Sequence, residues 1–180
     1  MKTDARVRYT KKVLRDSLFD CLKEKSINNV TVKEVCEKAD LNRATFYKHY
    51  KDCYDLIEQL QAEELKEFEQ LFKVNDKYGK KLTGDILALL DKYADLNEAV
   101  VNGKVADRLK TDMIRISEEN CIAEWKEAMP KATDDEVEML FTSICASIFE
   151  LAISKKGSYP NESIIDFIHS MLISCINNYV

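Results

Sequence analysis

Residues 31–60 read TVKEVCEKADLNRATFYKHYKDCYDLIEQL, and their spacing decides the fold. Thr31 can cap a helix whose third residue, Glu34, reaches back to close a capping box. The apolar face of that helix is Val32, Val35, Cys36 and Ala39, and it should end near Asp40. Asn42 then serves as the next N-cap, and a second short helix begins at Arg43. Phe46 and Tyr50 are four apart, so both can face inward toward Leu18, Val35 and Leu41. Three pairs are left to face outward: Arg43 with Tyr47, Ala44 with Lys48, and Thr45 with His49. Phe46, Tyr47, His49 and Tyr50 thus crowd beside Arg43, Lys48 and Lys51. A packed core would not tolerate those charges, and a plain solvated face would not need those rings. Asp52 caps a longer helix with the stripe Leu56, Ile57, Leu60, Leu65, Phe68, Leu71 and Phe72.

The same periodicity extends in both directions. Upstream, Val7, Leu14, Leu18, Cys21 and Leu22 form one stripe on a helix expected over 5–25. Downstream, helices are expected over about 85–95, about 105–128 with Pro130 closing it, about 134–156 and about 161–177. Thr133 caps the third of these, and Lys155, Lys156 and Gly157 supply its cationic end and its stop. Across 180 residues there are only four glycines and two prolines, and Lys, Glu, Leu, Ala and Asp dominate the stretches between them. The expected fold class is therefore all-α, and 46% hydrophobic content is ample for a buried core.

Composition narrows the function. Six scattered cysteines with no CxxC imply buried thiols rather than a disulfide framework or a zinc site. The opening MKTDARVRYTKK lacks an apolar segment for secretion, and the run from Leu140 to Ile153 is too short to span a bilayer, so a cytoplasmic protein with no membrane partner is expected. The net charge of −5 is unevenly divided: residues 1–51 carry 13 Lys+Arg against 7 Asp+Glu, and residues 52–180 carry 14 against 25. A basic head on an acidic body suits a polyanion-binding protein. The two histidines, His49 and His169, lie far apart, and there is no phosphate-cradling Gly-rich loop, HExxH or GxSxG. Catalytic residues, a metal and a cofactor are not expected.

Two short helices joined by a three- to four-residue turn outline a helix-turn-helix, which sets its second helix in the major groove of DNA. Residues 10–60 resemble the TetR/AcrR family of bacterial transcription regulators, above all in the capped helix, the turn and the TFYKHY run of the recognition helix. Two positions depart from that pattern: Asp40 stands for the usual turn glycine, and Cys53 for the lysine that often opens the following helix. The resemblance implies that Arg43, Ala44 and Thr45 read base edges, with Lys33 as a further reader. It also implies that Tyr47, Lys48, His49, Lys51 and the helix start at Thr31 and Asn42 hold phosphates. Arg43 has the side chain for a bidentate contact to guanine.

The expected division is a DNA-binding domain over 1–51 and a ligand-binding and dimerisation domain over 52–180. The last two helices are apolar on more than one face and so need partners on both sides. A homodimer seam is expected there, from Ile144, Ile148, Leu151, Ile168, Met171 and Leu172. The resemblance further implies a small-molecule pocket in the body, for which Tyr93, Met113, Cys121, Trp125, Met129 and Phe141 are candidates. The expected function is a repressor that binds a palindromic operator as a homodimer and is released by a ligand. The alternative is a TetR-like activator or coactivator that works with another regulator.

Overall fold

The computed structural model describes residues 5–73, 79–103, 108–154 and 157–180. Among these residues it is all-α. The chain runs through α1 (Ala5–Leu22), α2 (Val32–Ala39), α3 (Arg43–Tyr47) and α4 (Cys53–Leu71). It continues through α5 (Lys80–Lys92), α6 (Ala94–Val101), α7 (Leu109–Ala128), α8 (Asp134–Phe149) and α9 (Asn161–Asn178).

The local signals in residues 31–60 act as their chemistry dictates. The Thr31 hydroxyl accepts from the Glu34 N–H, while the Glu34 carboxylate accepts from the Thr31 N–H, closing the capping box of α2. The Asn42 and Asp52 side chains cap α3 and α4, accepting from the N–H groups of Thr45 and Asp55 at 2.8 Å each. Between α2 and α3, Asp40 takes a left-handed backbone (φ 52°, ψ 42°), and the Leu41 N–H returns to the Cys36 carbonyl at 3.0 Å. That pair of features stops α2 and turns the chain into α3. Leu14, Leu18, Val35, Phe46 and Leu56 are each fully buried and form the centre of the head.

α4 continues from this head into the body, where it packs on α5 and α7; α7 packs on α8, and α9 lies against α5 and α8. Lys80 to Asp166 at 2.6 Å and Asn161 to Asp91 at 2.9 Å tie α5 to α9 at the surface.

Four boundaries differ from expectation. α1 stops at Leu22, and a 3₁₀ turn over Ile27–Asn29 follows. The helix expected from about 85 begins at Lys80, and the stretch around Asn97, read as punctuation, is α6, held because Leu96, Asn97 and Ala99 are all buried. α7 is described from Leu109, the start expected near 105 lying outside the described residues. α8 changes at Glu150 into a wider π turn through Ser154, and the cationic end expected at Lys155 and Lys156 also lies outside them.

The expected dimer seam needs correction. Ile144, Ile148, Ile168 and Leu172 are buried in the protomer's own core, 2–8% exposed, so they cannot meet another chain without unpacking it. Leu151 and Met171 are half-buried. The apolar residues that α8 and α9 present to solvent are Met139, Phe167 and Ile173.

Candidate nucleic-acid interface

α3 is only five residues long, so its orientation comes from its two anchors rather than from its own stability. Phe46 is fully buried and Tyr50 nearly so, with ring centroids 5.7 Å apart. Burial pushes the Tyr50 hydroxyl up to about 12, and the Lys11 ammonium sits 5.5 Å from its ring centroid. With those rings fixed, Arg43, Ala44, Tyr47 and Lys48 are exposed, and Thr45 and His49 are half-buried. Among the described residues, no carboxylate lies within ion-pair distance of Arg43 or Lys48. Their charges are therefore available to an anionic partner.

Tyr47 is 57% exposed, and its ring meets Phe46 edge-on at 5.7 Å and 83°, which fixes the phenol without burying it. The Thr45 hydroxyl donates to Asn42 Oδ1 at 3.0 Å, leaving its oxygen free to accept. Asn42 Oδ1 is thus spent on the cap, and only the amide NH₂ of that side chain remains for a partner. The His49 ring lies 6.2 Å from Tyr50, and its backbone carbonyl accepts from Gln59 Nε2.

The preceding helix offers less than its sequence suggests. Both polar groups of Thr31 are engaged by Glu34. The Glu34 carboxylate is held down to about 2, first by the Lys25 ammonium at 2.5 Å and then by Thr31. A fixed negative charge therefore stands beside the start of α2, partly balanced by Lys25. Lys33 is exposed but sits 3.7 Å from Glu37. Cys53 is buried, and burial pushes its thiol up to about 12, so no phosphate contact comes from it. Lys51, two residues earlier, is exposed, and its N–H donates to Asp55.

The six residues expected to line one ligand pocket do not share a cavity. Cys121, Trp125 and Phe141 line an apolar void of about 60 Å³, with the Trp125 and Phe141 rings 5.0 Å apart. Met113 belongs to a separate cavity of about 220 Å³. Met129 is buried and lines neither, while Tyr93 lies under the Lys92 ammonium and donates to Glu67 at 3.0 Å. The cause is helical phase: α6 and the π turn divide the space between α4, α7 and α8, and neither was legible from periodicity.

The sequence reading also missed Glu64, which is fully buried on α4 and bonded to Asn97 of α6. The signal was present: Leu60, Glu64 and Phe68 are four apart, which puts a carboxyl on the apolar stripe. Among the described residues there is no group of three or more His, Cys, Asp or Glu side chains that could hold a metal, and no helix long and apolar enough to cross a membrane.

A capped helix, a left-handed turn and a short exposed helix anchored by two rings define a helix-turn-helix DNA-binding head, here on an all-α body. Residues 14–60 match the family described as bacterial regulatory proteins, tetR family. Through this head the chain belongs among the TetR-family DNA-binding transcription regulators. Over 54 residues it is 35% identical to an uncharacterized HTH-type transcriptional regulator, YxbF, of Bacillus subtilis (strain 168). That match covers 30% of this chain and 14% of the relative's length. The fold as a whole is similar to that of the dihydroxyacetone kinase operon activator DhaS, with a TM-score of 0.63 at 16% identity, covering 94% of this chain and 97% of that one.

Proposed function

We propose that the chain is a sequence-specific regulator in which residues 1–51 bind DNA and residues 52–180 carry dimerisation and ligand response. It binds a palindromic operator as a homodimer, represses, and is released by a small molecule. The observation that carries the DNA-binding part is the exposure of Arg43, Ala44, Tyr47 and Lys48 on a helix locked by Phe46 and Tyr50. Arg43 reads a guanine edge, the Ala44 methyl meets a thymine methyl, and Thr45 accepts from or donates to a base. Tyr47, Lys48, His49 and Lys51 hold phosphates, with Lys33 and the NH₂ of Asn42 as flanking contacts and the start of α2 at Thr31 as the weakest. No catalytic step, metal or cofactor enters this reading.

Two copies are required because a five-residue recognition helix reads only a few base pairs. Met139, 63% exposed, and Phe167, 58% exposed, mark the face of α8 and α9 best suited to a partner, with Leu151 and Met171 at its edge. Substituting Arg43 by Ala is expected to weaken binding to the preferred duplex by about 1–3 kcal/mol and to relax base choice at one position of each half-site. Competition binding against duplexes varied one base pair at a time measures both effects. An unchanged base profile would remove Arg43 from the reading role.

The alternative, an activator or a coactivator that works with another regulator, draws support from the likeness to DhaS, which is named as an operon activator. This architecture does not fix the sign of regulation. A purified protein that selects no sequence unless a second regulator is added would favour the coactivator.

A further inference from the structure

The cavity of about 220 Å³ lies between α6, α7 and the end of α8, with Val100, Leu109, Met113, Phe149 and Ile153 on its apolar wall. Two side chains break that apolar surface. Lys110 is exposed, whereas Asn97 is only 4% exposed. Asn97 Nδ2 donates to Glu64 Oε1 at 3.2 Å and to the Leu90 carbonyl at 3.1 Å, so both amide hydrogens are committed. Turning the amide over would set its carbonyl against the Leu90 carbonyl, which can only accept, so the orientation is fixed by chemistry. The one polar atom Asn97 has left to offer is its carbonyl oxygen. An acceptor on an otherwise apolar wall selects a donor.

Size limits the donor further, since a cavity of roughly 150 Å³ holds benzene. We infer that this cavity takes an uncharged, mainly apolar molecule of about one substituted aromatic ring, whose hydroxyl donates to Asn97 Oδ1, with Glu64 of α4 as the residue that positions Asn97. This inference rests on the reading that the body answers to a small molecule, and it names that molecule's class. Glu64 is fully buried and its Oε2 has no partner among the described residues, so Asn97 is the hydrogen-bond contact that holds this carboxyl. A ligand that pulls on Asn97 is therefore felt on α4, the helix that begins at the DNA-binding head.

The test uses the full chain without DNA, labelled with carbon-13 at its methionine methyls, titrated separately with phenol, toluene and benzoate. Met113 is on the cavity wall and Met129, equally buried, is not, so the Met113 signal should move while Met129 stays. Phenol should bind about tenfold more tightly than toluene, as one buried hydrogen bond gives. Benzoate, which can use Lys110 but offers no donor, should bind no better than toluene. Asn97→Leu should reverse the order of phenol and toluene, because a hydroxyl buried without an acceptor is penalised. Glu64→Gln keeps an acceptor for Asn97 and should preserve the phenol preference. Toluene equal to or tighter than phenol in the unaltered chain, benzoate tightest, or a Met113 signal unmoved by all three would overturn the inference. The unaltered chain decides even if Asn97→Leu fails to fold. Because no DNA is present, each of these failures is distinct from a failure of operator binding.

Discussion

Glu64 sits where a leucine would complete the stripe of α4. Burial pushes its carboxyl up to about 8, against the opposing pull of the Asn97 hydrogen bond, and the neighbouring Glu67 charge adds to the rise. Glu67 is itself paired with Lys92 and Tyr93, and the buried face of α7 turns Met113 and Ser117 inward. An unfolded glutamate releases its proton near 4.5, whereas the folded one keeps it until about 8. Folding therefore carries a proton across that window, and the contribution of Glu64 to stability, fullest at acid pH, is lost as pH rises through it. The slope approaches ~1.4 kcal/mol per pH unit. Glu64→Gln should remove this dependence, so that urea denaturation finds the variant gaining on the parent chain between about pH 5 and about pH 8. A stability difference independent of pH would show that Glu64 is ionised in the fold.

Among the elements, the turn between α2 and α3 has the most local control over the interface. Asp40 is the one non-glycine residue with positive φ among the described residues. Asp tolerates this region better than most side chains, yet glycine adopts it freely. Asp40→Gly should raise the midpoint of thermal unfolding, worth up to about 1 kcal/mol, because relief of the left-handed cost exceeds the added freedom of the unfolded chain. A fall in stability would mean that the Asp40 side chain contributes more than its backbone costs. This turn and its two caps were legible in the sequence because Thr31, Glu34, Asn42 and Asp52 act on their own neighbours within four residues. α6 was not, because the burial of Leu96, Asn97 and Ala99 depends on helices far away in the chain. Likewise, the pattern around Ile144 and Ile168 showed that α8 and α9 are apolar on several faces, but not which face turns inward. That choice is set by α5 and α7, whose packing on α9 and α8 exists only in the folded protein.

At the scale of the whole molecule, one end is basic and exposed, and the other leaves Met139, Phe167 and Ile173 open to solvent. A homodimer built on that second face brings two heads onto one side of a duplex. Light scattering should then give the mass of two chains, and Phe167→Glu should reduce it to one at micromolar protein without changing helix content, since Phe167 is 58% exposed in the protomer. A dimer untouched by that substitution would move the seam elsewhere. Operator affinity should fall with the dimer, because each head alone makes too few contacts for specific binding at moderate salt.

The central claim is that this chain alone chooses a DNA sequence, and selection from a random duplex library tests it most directly. The purified full chain and its Arg43→Ala variant would be carried through selection in parallel at two stated salt concentrations, because phosphate contacts make affinity strongly dependent on salt. The account predicts an inverted repeat enriched by the unaltered chain, with a guanine position in each half-site that loses its preference in the variant. A folded dimer that enriches no sequence at either salt concentration would contradict it.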